Sequence, residues 1–205
     1  MTLDAVLLLL ALALALALRP WRGVAIGGPP WPWLAWCAVL PLFWGADKIA
    51  GMAIVQPLSG ASLLVLLAGW PLAVLALLPV AGVTMGVGGL DAAEALHRLV
   101  WLGLVPATLA MALGAALRRW LPNHLFVYIM ARGFFATGIA AAGAGALSLA
   151  LVGPPVGTDP GDLLLARLLT ASGEAFLTGM FSAIFVAFRP EWLATYSDRL
   201  YLPRD

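Results

Sequence analysis

The chain has 205 residues, of which 63% are hydrophobic and only 10% charged, and its net charge is +1. Soluble domains run at roughly 45–50% apolar and about 25% charged, so a mean hydropathy of +1.00 excludes an ordinary soluble fold. The balanced charge offers no field for nucleic acid. A lone Cys37 excludes a disulfide framework or a cysteine metal cluster, and two histidines, His97 and His124, exclude a histidine-rich zinc site.

An apolar helix needs about 20 residues to cross roughly 30 Å of hydrocarbon. In chain order the sequence predicts spans over 3–18, 31–46, 49–68, 70–87, 95–117, 125–152 and 163–188. The expected fold is an all-α polytopic transmembrane helix bundle of seven spans, or six if the stretch from Asp47 to Val87 crosses once. Lys and Arg stay on the cytoplasmic side of short loops. Seven spans with the N-terminus out put Arg19, Arg22, Arg118, Arg119, Arg189, Arg199 and Arg204 at the cytoplasmic face. Lys48, Arg98 and Arg167 then face out, and Arg132 lies near the inner end of the sixth span. Six spans misplace either Arg19 with Arg22 or Arg118 with Arg119, so seven is the better count. Residues 1–188 then form the bundle. Residues 189–205, with Trp192, Tyr196 and Tyr201, form a cytoplasmic interfacial or partner-binding tail.

The first span carries Asp4 where a signal peptide needs basic residues, and Arg19 and Arg22 follow it, which reads as an uncleaved anchor. Its Leu-Ala repeat reads as lipid-facing helix. The Gly-Gly-Pro-Pro cluster at 27–30 ends the first loop, and Trp31, Trp33 and Trp36 suit an interfacial aromatic belt. Gly69-Trp70-Pro71 reads as a tight turn between spans. Pro122-Asn123 separates the fifth and sixth, with His124 as a helix cap or anchor, and residues 153–161 form an outer loop. The sixth span is rich in Gly and Ala from Ala136 to Ala146, which lets helices pack closely.

The polar residues that remain in lipid carry the functional question. A charge near the bilayer centre costs at least about 2.5–3.5 kcal/mol on insertion scales. Glu174 is the deepest, about 11 residues or roughly 16 Å from the outer end of the last span. It is either a substrate, ion or proton site, or a structural group paired with Arg132. Gln56 and Ser59 flank Pro57 in the third span, and such a broken polar patch lines cavities in transporters, or is simply a proline kink. Asp91, Glu94 and His97 share one helical face beside Arg98, either a weak divalent-cation site or a solvated helix start. Gln56, Ser59 and Glu174 are the candidate substrate-binding residues. No nucleophile elbow, Walker loop, His-Glu-x-x-His or paired-carboxylate set occurs, so the chain reads as neither an enzyme nor an ATPase, and no cofactor is expected.

Pro57-Leu58-Ser59-Gly60-Ala61, then Ala68-Gly69-Trp70-Pro71, then Gly88-Gly89-Leu90, and finally Gly173-Glu174-Ala175 through Phe188-Arg189-Pro190 occur in order. Together they resemble the CbiM/NikM-type permeases, the membrane substrate-binding subunits of energy-coupling-factor transporters for cobalt and nickel. The likeness covers about residues 57 to 190. It implies a seven-helix bundle with the N-terminus out, a bacterial inner (cytoplasmic) membrane, and partners comprising cytoplasmic ATPase subunits and a transmembrane coupling subunit. It also implies a metal held by the free N-terminus, a histidine at position two and the histidine of a Ser-Gly-His segment. Here Thr2 and Ala61 stand at those positions, so the chain looks like a divergent branch without the metal ligands. The expected function is a permease subunit of an ABC-type uptake transporter. The alternative is a non-transporting accessory or assembly subunit of a larger membrane complex on the same scaffold.

Overall fold

A computed structural model describes residues 2–21, 31–51, 56–155, 157–197 and 201. Arg22, the cluster at 27–30, Arg199 and Arg204 lie outside the described residues. The helices are α1 (Thr2–Ala17), α2 (Trp31–Trp44), α3 (Ala46–Ala50), α4 (Ala61–Ala68), α5 (Trp70–Gly88), α6 (Ala92–Trp120), α7 (Leu125–Val152) and α8 (Pro160–Phe188). There is no strand among the described residues. The last four are long and apolar enough to cross a membrane. At 16 and 14 residues, α1 and α2 are shorter apolar helices.

Local chemistry fixes the helix starts. The Asp159 side chain accepts from the N–H groups of Gly161 and Asp162 at 2.8 and 3.1 Å, with Pro160 at the first helical position of α8. Asp91 caps α6 by accepting from Glu94 N–H at 2.7 Å, and His124 caps α7 through Nδ1 and the Phe126 N–H at 3.1 Å. A π-helical stretch lies within each of two long helices, Leu99–Leu104 in α6 and Tyr128–Phe135 in α7. The first comes just before Pro106, which has no N–H to give the carbonyl of Leu102, so the turn widens there.

One expected span is not a single helix. In place of a continuous crossing over 49–68, α3 ends at Gly51 in the left-handed region, residues 56–60 are irregular, and helix resumes only at Ala61. Gly60 is also left-handed, at φ +65°, and a Cβ there would fall 2.5 Å from Leu40 Cδ2. Neither position accepts an ordinary helical residue. Gly69 then turns the chain directly into α5, as the Gly-Trp-Pro signal predicts.

Helices α7 and α8 pack as an antiparallel pair along small residues. Gly133 faces Ser182, Gly138 faces Ala175 and Gly145 faces Arg167. At the tail end of the bundle, Ala194 and Thr195 N–H groups donate to the carbonyls of Leu67 and Leu66, each at 3.3 Å. Those carbonyls end α4 and have no partner within it. Tyr196 and Tyr201 stack on each other and each makes a T-shaped contact with Tyr128, so these tail residues and Leu193 are part of a buried cluster with Leu63 and Leu66. A larger cluster surrounds Trp44, Leu77 and Val100. Of the expected tryptophan belt, Trp31 is exposed, but Trp36 turns inward between Phe43 and Phe181.

At the opposite, far end the charges are knitted together. Arg98 donates to both Asp47 oxygens and to Glu94 Oε1, each at 2.7 Å, and to the Trp44 carbonyl. Lys48 adds a 3.5 Å contact to Glu94. The Arg98 hydrogen bonds hold the Asp47 carboxyl below its usual range. Asp4 of α1 accepts from the Trp101 indole at 2.9 Å and lies 3.6 Å from His97 Nδ1. Arg98 is therefore buried and paired with the loop rather than one charge of a solvated helix start.

Candidate functional site

Glu174 sits at the midpoint of α8 and is 2% exposed. Its Oε1 accepts the backbone N–H of Ser59, with the Gly60 N–H beside it. The carboxylate thus takes the place of a cap just ahead of α4, a half-length helix that begins at Ala61. Its second oxygen, Oε2, is buried and has no hydrogen-bond partner.

The irregular segment before α4 is fixed from three sides. Trp44 Nε1 donates to Ser59 O and Trp36 Nε1 to Gly60 O, each at 2.8 Å. The Ser59 hydroxyl accepts the Ala61 N–H at 3.1 Å. Thr170 Oγ1 donates to Gln56 O at 3.3 Å, and Arg167 Nε to Gln56 Oε1 at 3.2 Å. Backbone that leaves the helix inside an apolar bundle needs such partners, because its surroundings offer few others.

A cavity of about 20 Å³ lies between these groups, lined by Gln56, Ser59, Arg167, Thr170 and Glu174, with Trp101 on its wall. That is room for roughly one water. The three residues singled out from sequence, Gln56, Ser59 and Glu174, therefore share one cavity. Arg132 does not join them: it donates to Thr195 O at 3.4 Å and lies over the Tyr128 ring, so the Glu174–Arg132 pair is absent.

Arg167 and Thr170 are the residues that sequence reasoning missed. By charge placement Arg167 belongs with the outward-facing residues, yet it is half-buried on the same helix as Glu174, about two turns nearer the helix start. Its guanidinium donates only to neutral acceptors: Gln56, the Gly145 carbonyl and, at 3.5 Å, Ser148 Oγ. The signal was available, since positions 167, 170 and 174 recur at helical spacing. Among the described residues no three of His, Cys, Asp and Glu come together. The face of Asp91, Glu94 and His97 is taken up by the Asp91 cap, by the Arg98 and Lys48 contacts of Glu94 and by the approach of Asp4 to His97.

Comparison with protein-family models, with curated proteins and with solved structures gives no match for this chain.

Proposed function

We propose that the chain is the membrane-embedded substrate-binding subunit, or permease, of an energy-coupling-factor uptake transporter in a bacterial inner membrane. One observation carries the reading: a helix broken at Gln56–Gly60 presents its half-helix N-terminus to a buried carboxylate at the midpoint of α8, beside a small polar cavity. Broken helices that offer main-chain groups at mid-membrane are how transporters build binding sites. The sequence motifs shared with CbiM/NikM-type permeases support the same reading.

In this reading the chain makes seven crossings, the third of them broken, with the N-terminus out and the C-terminus cytoplasmic. Arg118, Arg119, Arg132 and Arg189 then lie toward the cytoplasmic, tail end, as the positive-inside rule expects. ATP is hydrolysed by partner ATPase subunits, and a transmembrane coupling subunit transmits the motion. The cargo is a small polar solute. A carboxylate, an amide oxygen and hydroxyls beside a guanidinium do not suit cobalt or nickel, which favour imidazole and amine nitrogen.

A second reading, an accessory or assembly subunit of a larger membrane complex, is favoured by the size of the cavity, which holds about one water. Mass spectrometry of polypeptides that copurify with the tagged chain from gently solubilised native membranes separates the two. The permease reading expects an ATPase pair and a coupling subunit at near-stoichiometric levels. A different stable complex with no ATPase sinks it and supports the second reading.

A further inference from the structure

Hydroxyls in membrane helices normally satisfy themselves on the carbonyl four residues back, and Thr84, Thr108 and Ser172 do so at 2.8, 2.7 and 3.0 Å. Thr137, Thr178 and Ser182 do not. All three are no more than 1% exposed, and their hydroxyl oxygens are buried without a partner, as is that of Ser62. Three of them lie along the α7–α8 seam, and Ser62 is on α4, which packs on α8. On α8, Thr178 and Ser182 follow Glu174 at successive four-residue steps, and so lie on its face of the helix. Gly133 abuts Ser182, so in the antiparallel pair Thr137, one turn further along α7, stands level with Thr178. Ser62 lies one turn into α4 from the backbone that Glu174 holds.

Each step along α8 is about 6 Å, the reach of one water accepting from one hydroxyl and donating to the next. The file starts at the unpartnered Oε2 of Glu174. It runs toward the tail end, where Arg132, Tyr128 and Thr195 meet around the tail. Buried polar atoms without protein partners in a dry bundle are water-binding groups.

We propose that Glu174 takes up and releases a proton that reaches it from the tail end through Ser182, Thr178, Thr137 and Ser62. The proton bonds to Oε2, leaving a bridging water that regains one from the next hydroxyl, and so on to bulk water at the tail. Ser59 stays on Oε1 throughout. A neutral carboxyl grips that N–H less strongly than a carboxylate does, so proton uptake loosens the segment that closes the cavity. Charged groups facing Glu174 are few. Arg167 lies on its own helix, Arg132 is the one charged residue of α7, and α2, α4 and residues 56–60 contribute none. Arg98 of α6 is already neutralised by Asp47 and Glu94.

The test is infrared spectroscopy of the purified full chain in lipid nanodiscs, following the carbonyl stretch of a protonated carboxylic acid after a pH jump. We expect a band that is lost in Glu174→Gln. Its rise is slowed by about tenfold in Thr178→Val and Ser182→Ala, the factor given by one lost hydrogen bond of ordinary strength. Thr84→Val, which removes a self-satisfied hydroxyl elsewhere, leaves the rate unchanged. Glu174→Gln keeps an oxygen for the Ser59 N–H, and Thr178→Val is isosteric, so both variants test the route in a folded bundle. A band that persists in Glu174→Gln overturns the proposal, as does a rate equal in all the hydroxyl variants. Slowing in Thr170→Val with none in Thr178→Val places the proton's path on the far side and overturns it too. The measurement needs no partner subunit, so its failure leaves the permease reading standing, and a failed copurification leaves this one standing.

Discussion

The far end and the middle of the bundle treat charge in opposite ways. At the far end, Arg98 is enclosed by two carboxylates and a carbonyl, with Lys48 completing the set. In the middle, Glu174 and Arg167 line one cavity without touching each other, and each is held by neutral groups. Each arrangement buries one ionisable group, Arg98 in the first and Glu174 in the second. Only the second leaves an oxygen with nothing bound to it, and a charge satisfied within the chain has none to offer a ligand. The far end is a lock, and the middle is a place kept for something else.

The comparison can be broken by neutralising each region in turn. Arg98→Leu removes the donor that Asp47 and Glu94 share in a half-buried setting and should cost about 1.5–3 kcal/mol, read as a loss of folded fraction in a denaturing-detergent titration. An equally large loss in Glu174→Gln would erase the distinction. Trp44→Phe keeps the ring packing but leaves the Ser59 carbonyl without its donor, and about 1–3 kcal/mol is expected by the same titration.

Acid sharpens the contrast. The folded carboxyl of Asp47 sits below its ordinary value, so its contribution is present above the unfolded pKa of about 3.9 and disappears as pH falls through the lower folded value. Stability should therefore drop below about pH 4 in the wild type, and drop less in Asp47→Asn, which has already lost the pair. The smallest effect on folding belongs to Glu174→Gln, within about 1 kcal/mol. In the permease reading it abolishes uptake while the amount of folded protein in membranes stays unchanged.

The long helices were legible because each is a run of apolar residues bounded by Gly, Pro or Asp. Residues 70–188 yield α5 to α8 close to the expected limits. The broken span was not legible. Ile49 to Ala68 is nearly continuous in hydropathy, and the break comes from two left-handed glycines and from indole donors on α2, which are contacts between distant parts of the chain. Pro57 was the one local sign. At the site, Gln56, Ser59 and Glu174 were found because polar groups are costly in lipid. Arg167 was missed because a basic residue four positions from the expected span's start looks like a topology signal, and only its contact with Gln56 turns it toward the cavity. Trp36 was read as an interfacial anchor for the same reason: its ring is typical of a membrane surface, but its N–H is committed to Gly60.

The α4 half-helix is gripped at both ends, by Glu174 through the Ser59 N–H just ahead of its first turn and by Ala194 and Thr195 at its last. Eight helical residues make a rod about 12 Å long, and hydrogen-bonded helix resists compression along its axis. A push or pull on the tail therefore arrives at the Glu174 carboxylate with little loss, as through a connecting rod. In the permease reading, whatever engages the exposed tail residues Trp192 and Ala194 holds a mechanical handle on the middle of the bundle.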